Sequence, residues 1–221
     1  MVRKNVAFAG LTAAGKTTHA KLLAKSLGYE YVSATEILLR ILGIEKEAER
    51  IWFAESGPIW AAREGDAADE ELERQLTSMA SRSDGIVFDT WALAWIGEAP
   101  LLRIWIESDL ESRARKCYVS QGEDKTLSVL ECRDLVVSKD ELTRASFLRR
   151  HHYDIAVDRS RYDVELNNSD LIPQATDQCA ASGVARFAPV VHALATAHIS
   201  GVKVDATVRV SHRSEDGLYA V

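Results

Sequence analysis

Gly10-Leu11-Thr12-Ala13-Ala14-Gly15-Lys16-Thr17 decides the reading of this chain. The pattern GxxxxGK[ST] is complete and stands where its chemistry needs it, between a short apolar run at 5–9 and a stretch of helical spacing. In that stretch Ala20, Leu22, Leu23 and Leu27 recur on one side, and Gly28 supplies a stop. Strand, glycine-rich turn and helix in this order form a phosphate-binding loop. Gly10 and Gly15 allow a backbone path that turns successive N–H groups inward. The amides of Thr12, Ala13, Ala14 and Gly15 then close around a phosphate at the positive end of the helix. Lys16 supplies a point charge for the β- and γ-phosphates, Thr17 a hydroxyl ligand for Mg2+, and Thr18 a bond to the α-phosphate. The expected cofactors are ATP and Mg2+.

Outward from the loop, short apolar runs alternate with helical patterns. Residues 29–32 read as a second strand. Ser33 or Thr35 then caps a helix carrying Ile37, Leu38, Ile41 and Leu42, closed by Gly43. Residues 45–82 read as helical, interrupted near Gly57-Pro58 and Gly65-Asp66, and strongest over 69–79. Further strands are expected at 85–89, 101–106 and 162–166, with an exposed helix over 109–118. This alternation predicts a three-layer α/β fold, about five parallel strands flanked by helices. Residues 121–150 show no strand signal and are dense in charge, so they read as a mobile insertion. Beyond 170, residues 187–199 have helical spacing and 202–210 alternate like a strand. That last run could join the sheet edge, pair with another chain or hang free. No repeat or linker divides residues 1–221, which read as one domain.

Composition bounds the partners. Of 221 residues, 47% are hydrophobic and 27% charged, enough for a sizeable core. A net charge of −6, from 27 basic against 33 acidic residues, argues against a nucleic-acid polymer as partner. No apolar run approaches the ~20 residues that cross a bilayer, which argues against a membrane partner. Arg3 and Lys4 precede too short an apolar stretch for a signal peptide. Cys117, Cys132 and Cys179 are odd in number and widely spaced, which suits reduced thiols in the cytoplasm. The six histidines show no zinc-ligand spacing. A small-molecule phosphate acceptor is the expected partner.

Past the second strand, Val32-Ser33-Ala34-Thr35-Glu36-Ile37-Leu38-Leu39-Arg40 resembles nucleoside monophosphate kinases, most closely their cytidylate kinase-like branch. The resemblance continues through Asp69-x-x-Leu72-x-Arg74 and through 102–115, which is similar to the family's fourth strand and following helix. Residues 133–158 resemble the lid, and 162–168 the final strand, which ends in an asparagine near the nucleotide. It spans about residues 3–170 and implies several roles. Arg40 would contact the acceptor's phosphate, and Arg113 would lie beside the donor base. Arg144 and Arg149, then Arg133 and Arg150, would clamp the transferring phosphoryl group. The acceptor-binding helices would fall within 35–82 and the lid within 121–150.

Asp89 ends a buried strand, where a carboxylate is costly unless used. It could hold water on Mg2+ or take the acceptor's proton; the bland alternative is a cap for a helix over 91–97. Where the family carries acid, glycine and arginine, this chain reads Asp89-Thr90-Trp91. Tryptophan cannot hold a phosphate, so either Arg63 or Arg74 stands in or the acceptor is not an ordinary nucleoside monophosphate. Trp52, Trp60, Trp91 and Trp95 either fill core or line an aromatic acceptor pocket. The expected activity is phosphoryl transfer from ATP to a nucleoside monophosphate, CMP or dCMP first. The catalytic set would be Lys16, Asp89, Arg144 and Arg149. Alternatives are a phosphotransferase acting on a hydroxyl of a non-nucleotide metabolite, and a nucleotide-binding regulatory protein without turnover.

Overall fold

The computed structural model describes residues 4–44, 65–98, 100–123, 125–204 and 206–210. Their elements run β1 (Asn5–Ala9), α1 (Lys16–Leu27), β2 (Glu30–Ser33), α2 (Ala34–Ile41), α3 (Ala67–Arg82), β3 (Ile86–Asp89), α4 (Leu93–Ile96), β4 (Leu101–Glu107), α5 (Leu110–Ser120), α6 (Val129–His151), β5 (Val164–Asn167), α7 (Asp177–Ile199) and β6 (Ala206–Arg209). The strands form one sheet in the order β2-β3-β1-β4-β5-β6, and every pair is parallel. The three-layer α/β expectation holds, with one strand more than expected. The alternating run near the end of the chain pairs with β5, Val164 opposite Ala206, and so joins the sheet edge.

All five residues of β1 are buried, as a central parallel strand covered on both faces should be. From β1 the sheet grows both ways, β3 and β2 on one side and β4, β5 and β6 on the other. A crevice therefore opens at the carboxyl end of β1, where ligands bind in open parallel sheets. One face of the sheet packs Val6, Phe8, Ile104 and Ile106 against α1 and α7 residues such as Ala20, Phe187 and Val191. The other packs Ala7, Phe88 and Leu101 against Leu38, Leu72 and Leu76.

Two helices differ from expectation. The stretch 121–150 was expected to stand apart from the core, yet most of it is the continuous helix α6. Ser128 opens it with a capping box to Glu131. Cys132 and Val136, one turn apart, are buried against Cys117 of α5, and Phe147 is buried beside Tyr153. These apolar residues are few, but they share a face that the surrounding charges mask in the composition. Likewise α5, expected to be exposed, buries Ser112, Arg113, Ala114 and Cys117. The helical expectation for 45–64, with Trp52, Trp60 and Arg63, lies outside the described residues.

Candidate active site

The glycine-rich loop floors a cavity of about 520 Å³ at the carboxyl end of β1. Gly10 has φ 151, and a Cβ there would stand 2.5 Å from the Ile106 carbonyl oxygen of β4, so no other residue fits. Gly15 caps α1 with φ 104, and Ala13 between them also sits in the left-handed region at φ 58. The loop therefore turns as the sequence predicts, ending at the first turn of α1.

Side chains from later in the chain hold this loop. Asn168, one residue past β5, donates from Nδ2 to the Ala14 carbonyl at 2.9 Å. Arg113 of α5 donates to the Thr12 carbonyl at 3.2 Å and the Ser108 carbonyl at 3.1 Å. Asp140 of α6 accepts from the Thr12 N–H at 2.9 Å and pairs with the Arg113 guanidinium. Arg113, expected beside the donor base, is buried and fastens the loop to α5 and α6.

Within the cavity, Lys16 donates from Nζ to the carbonyls of Gly10 at 2.8 Å and Leu11 at 2.9 Å. Its ammonium stands 4.9 Å from the centroid of the Trp91 ring. Burial pulls the Lys16 amine down to about 8, against the opposing pull of Asp89 and Asp140. Across from it the Thr17 hydroxyl donates to Asp89 Oδ2 at 2.5 Å, and the Tyr31 hydroxyl donates to the same oxygen at 3.2 Å. Burial, and then the nearby Asp89 carboxylate, push the Tyr31 phenol well above its ordinary range. Asp89 is not the cap for the helix that follows. That contact falls to Thr90, whose hydroxyl accepts weakly from the N–H groups of Ala92 and Leu93.

One wall carries Tyr31, Ser33, Glu36, Asp89 and Trp91; the other carries Lys116, Cys117, Lys139, Asn168, Leu171 and Val184. Trp91 lines the cavity, as one alternative required. Trp95 does not: its ring stacks on Tyr153 at 3.7 Å between centroids. The loop residues Thr12, Gly15, Lys16, Thr17 and Thr18 line the same space.

Several expected residues lie elsewhere. Arg40 is exposed on the last turn of α2, outside the cavity lining. Arg74 is exposed too and pairs with Glu71 three residues back at 2.6 Å. All four arginines of α6 are engaged outside the cavity. Arg144 pairs with Asp154 at 2.5 Å, Arg149 with Asp66 at 2.6 Å, Arg133 with Glu111 at 2.9 Å and Arg150 with Glu73 at 2.6 Å. The structure thus keeps Arg144 and Arg149 on the surface, each paired with a carboxylate. The lysines of α5 and α6 that do line it, Lys116 and Lys139, went unnoticed in a sequence crowded with charge, as did the loop-holding Asp140.

Thr17 and Asp89 offer hard oxygen donors that already converge. That suits Mg2+, which takes one or two protein ligands beside substrate phosphates and water.

The family model described as the cytidylate kinase-like family matches residues 5–170. A protein named cytidylate kinase from Natronomonas pharaonis is 31% identical over 194 residues, 83% of this chain and 91% of that protein. One of the same name from Methanobrevibacter smithii is 27% identical over 165 residues, 75% of this chain and 89% of its own. Among solved structures, shikimate kinase from Bacteroides thetaiotaomicron superposes with a TM-score of 0.50 at 16% identity, covering 85% of this chain and 98% of that one. That similarity is one of fold.

Proposed function

This chain belongs to the cytidylate kinase-like family, and on that basis we propose that it moves the terminal phosphoryl group of ATP onto a nucleoside monophosphate, CMP or dCMP first. The observation that carries the reading is the Thr17–Asp89 hydrogen bond of 2.5 Å beside Lys16, above a loop whose glycines admit no side chain at Gly10. Relatives named cytidylate kinase, one of them 31% identical, favour a cytidine acceptor.

Catalysis of this kind is positioning plus electrostatics. The loop amides and Lys16 hold the donor phosphates, Lys16 exchanging the carbonyls of Gly10 and Leu11 for phosphate oxygens. Mg2+, held by Thr17 and Asp89, would neutralise charge on the phosphate oxygens. Tyr31 fixes the Asp89 carboxylate by its hydroxyl, so that its other oxygen stays free for water or for the acceptor's proton. The enzyme would work in the cytoplasm on small molecules. A second reading, transfer to the hydroxyl of a non-nucleotide metabolite, is favoured by Trp91 standing in the cavity where the resemblance leads one to expect a cation.

The test is ADP release with ATP and Mg2+ over nucleoside monophosphates and nucleosides. CMP-dependent turnover is expected, with Lys16→Ala reducing kcat roughly a hundred- to a thousandfold; undiminished activity in that variant overturns the donor site. Silence across the panel despite ATP binding would favour the second reading or a nucleotide-binding regulatory protein without turnover. Trp91→Arg should then create monophosphate use.

A further inference from the structure

We propose that Lys116 is a second cation of the donor site, gripping the phosphate nearest the nucleoside while Lys16 serves the far end. The inference rests on the reading of the cavity as a nucleotide site and adds a residue to it.

Three observations support it. First, Lys116 lines the cavity and its hydrogen-bond partners are neutral: Nζ donates to Ser108 Oγ at 2.8 Å and to Asn168 Oδ1 at 2.5 Å. Among the described residues no carboxylate lies within ion-pair distance of it. Its neighbours on α5 differ, since Arg113 has Asp140 and Arg115 donates to the Ile172 carbonyl at 2.6 Å. An ammonium has three protons; two are placed, and the third is available to a ligand.

Second, its position is tied to the loop. Asn168, which holds Lys116 by its amide oxygen, donates from its amide nitrogen to Ala14 at 2.9 Å. That nitrogen lies 3.6 Å from where a Gly15 Cβ would stand. Lys116 is therefore anchored to the loop at Ala14–Gly15, whereas Lys16 is bonded back to Gly10 and Leu11. Lysine of this loop serves the β- and γ-phosphates, which leaves the phosphate nearest the nucleoside for the cation at the other end.

Third, the group is electrostatically unsatisfied. Burial, and after it the repulsion of Arg113 and Arg115, pull the amine down to about 7 despite the pull of Asp109. A half-buried cation whose hydrogen-bond partners are neutral is costly, and an incoming phosphate oxygen relieves that cost.

The experiment measures ADP, GDP and UDP binding by calorimetry in the wild type, Lys116→Met and Lys116→Arg. A lost charge-assisted hydrogen bond should weaken all three nucleotides in Lys116→Met by a similar factor, roughly ten- to a hundredfold. Lys116→Arg should recover most of the affinity. Equal binding by wild type and Lys116→Met overturns the assignment, and so does a loss confined to one base, which would make Lys116 a reader of the base. If the wild type binds no nucleotide, the nucleotide-site reading itself falls, an outcome distinct from both. Melting curves establish that each variant folds, and Lys116→Gln takes the place of Lys116→Met if that variant does not.

Discussion

At the scale of single residues, the loop was legible because its glycines are fixed by sterics that any sequence must obey. The lysines were not. Lys116 and Lys139 look like any solvated lysine until the fold places Cys117, Leu171 and Val184 around them. His19 is a similar case. Two residues after Thr17, it packs on Phe187 at 4.6 Å between ring centroids, and its Nδ1 is buried with no hydrogen-bond partner. Burial, with Lys116 nearby, pulls the imidazole down to about 3. The unfolded chain therefore binds a proton below about pH 6.5 that the folded chain refuses until about 3, and stability falls as pH drops through that window. Between pH 7 and 5 the loss is about 2 kcal/mol for one such histidine. Melting temperatures across that range should fall steeply for the wild type and less steeply, by about one proton, for His19→Phe. An unchanged slope in that variant would place the effect elsewhere.

At the scale of elements, periodicity found most strands and helices within a residue or two, since apolar runs and glycine stops are local signals. It misjudged α5 and α6, whose burial depends on each other: Cys117 faces Cys132 and Val136 only when the two helices meet. Their joint contact with the loop is the Arg113–Asp140 pair, in which both side chains are largely buried. Removing one partner strands the other, which costs about 3 kcal/mol or more. Asp140→Ala should therefore lower Tm by about 10 °C in a chain of this size. The double variant Asp140→Ala with Arg113→Met should regain a good part of it. If the double variant loses the sum of the two single losses, the pair is not coupled.

At the scale of the whole molecule, the family model stops at residue 170, yet the core does not. Phe187, Val191 and Ala195 of α7 are at most 1% exposed. Gly183 lets α7 approach so closely that a Cβ there would stand 2.8 Å from the Leu171 carbonyl oxygen. A chain ending at residue 172 should then lose its cooperative unfolding transition, as followed by circular dichroism. A sharp melt near the full-length Tm would show α7 to be dispensable. Sequence alone left residues 171–221 unplaced because an alanine-rich helix carries no sign of which surface it covers. The position of α7 also has a consequence for synthesis. The cavity's floor is made from loop residues between Thr12 and Thr18 and part of its far wall from Ala180, Gly183 and Val184. At roughly 5–20 residues per second, the nascent loop leaves the ribosome many seconds before that wall exists. Until then it can offer a nucleotide only an unfinished pocket, so newly made chains gain stabilisation from ligand only after Val184 has been made.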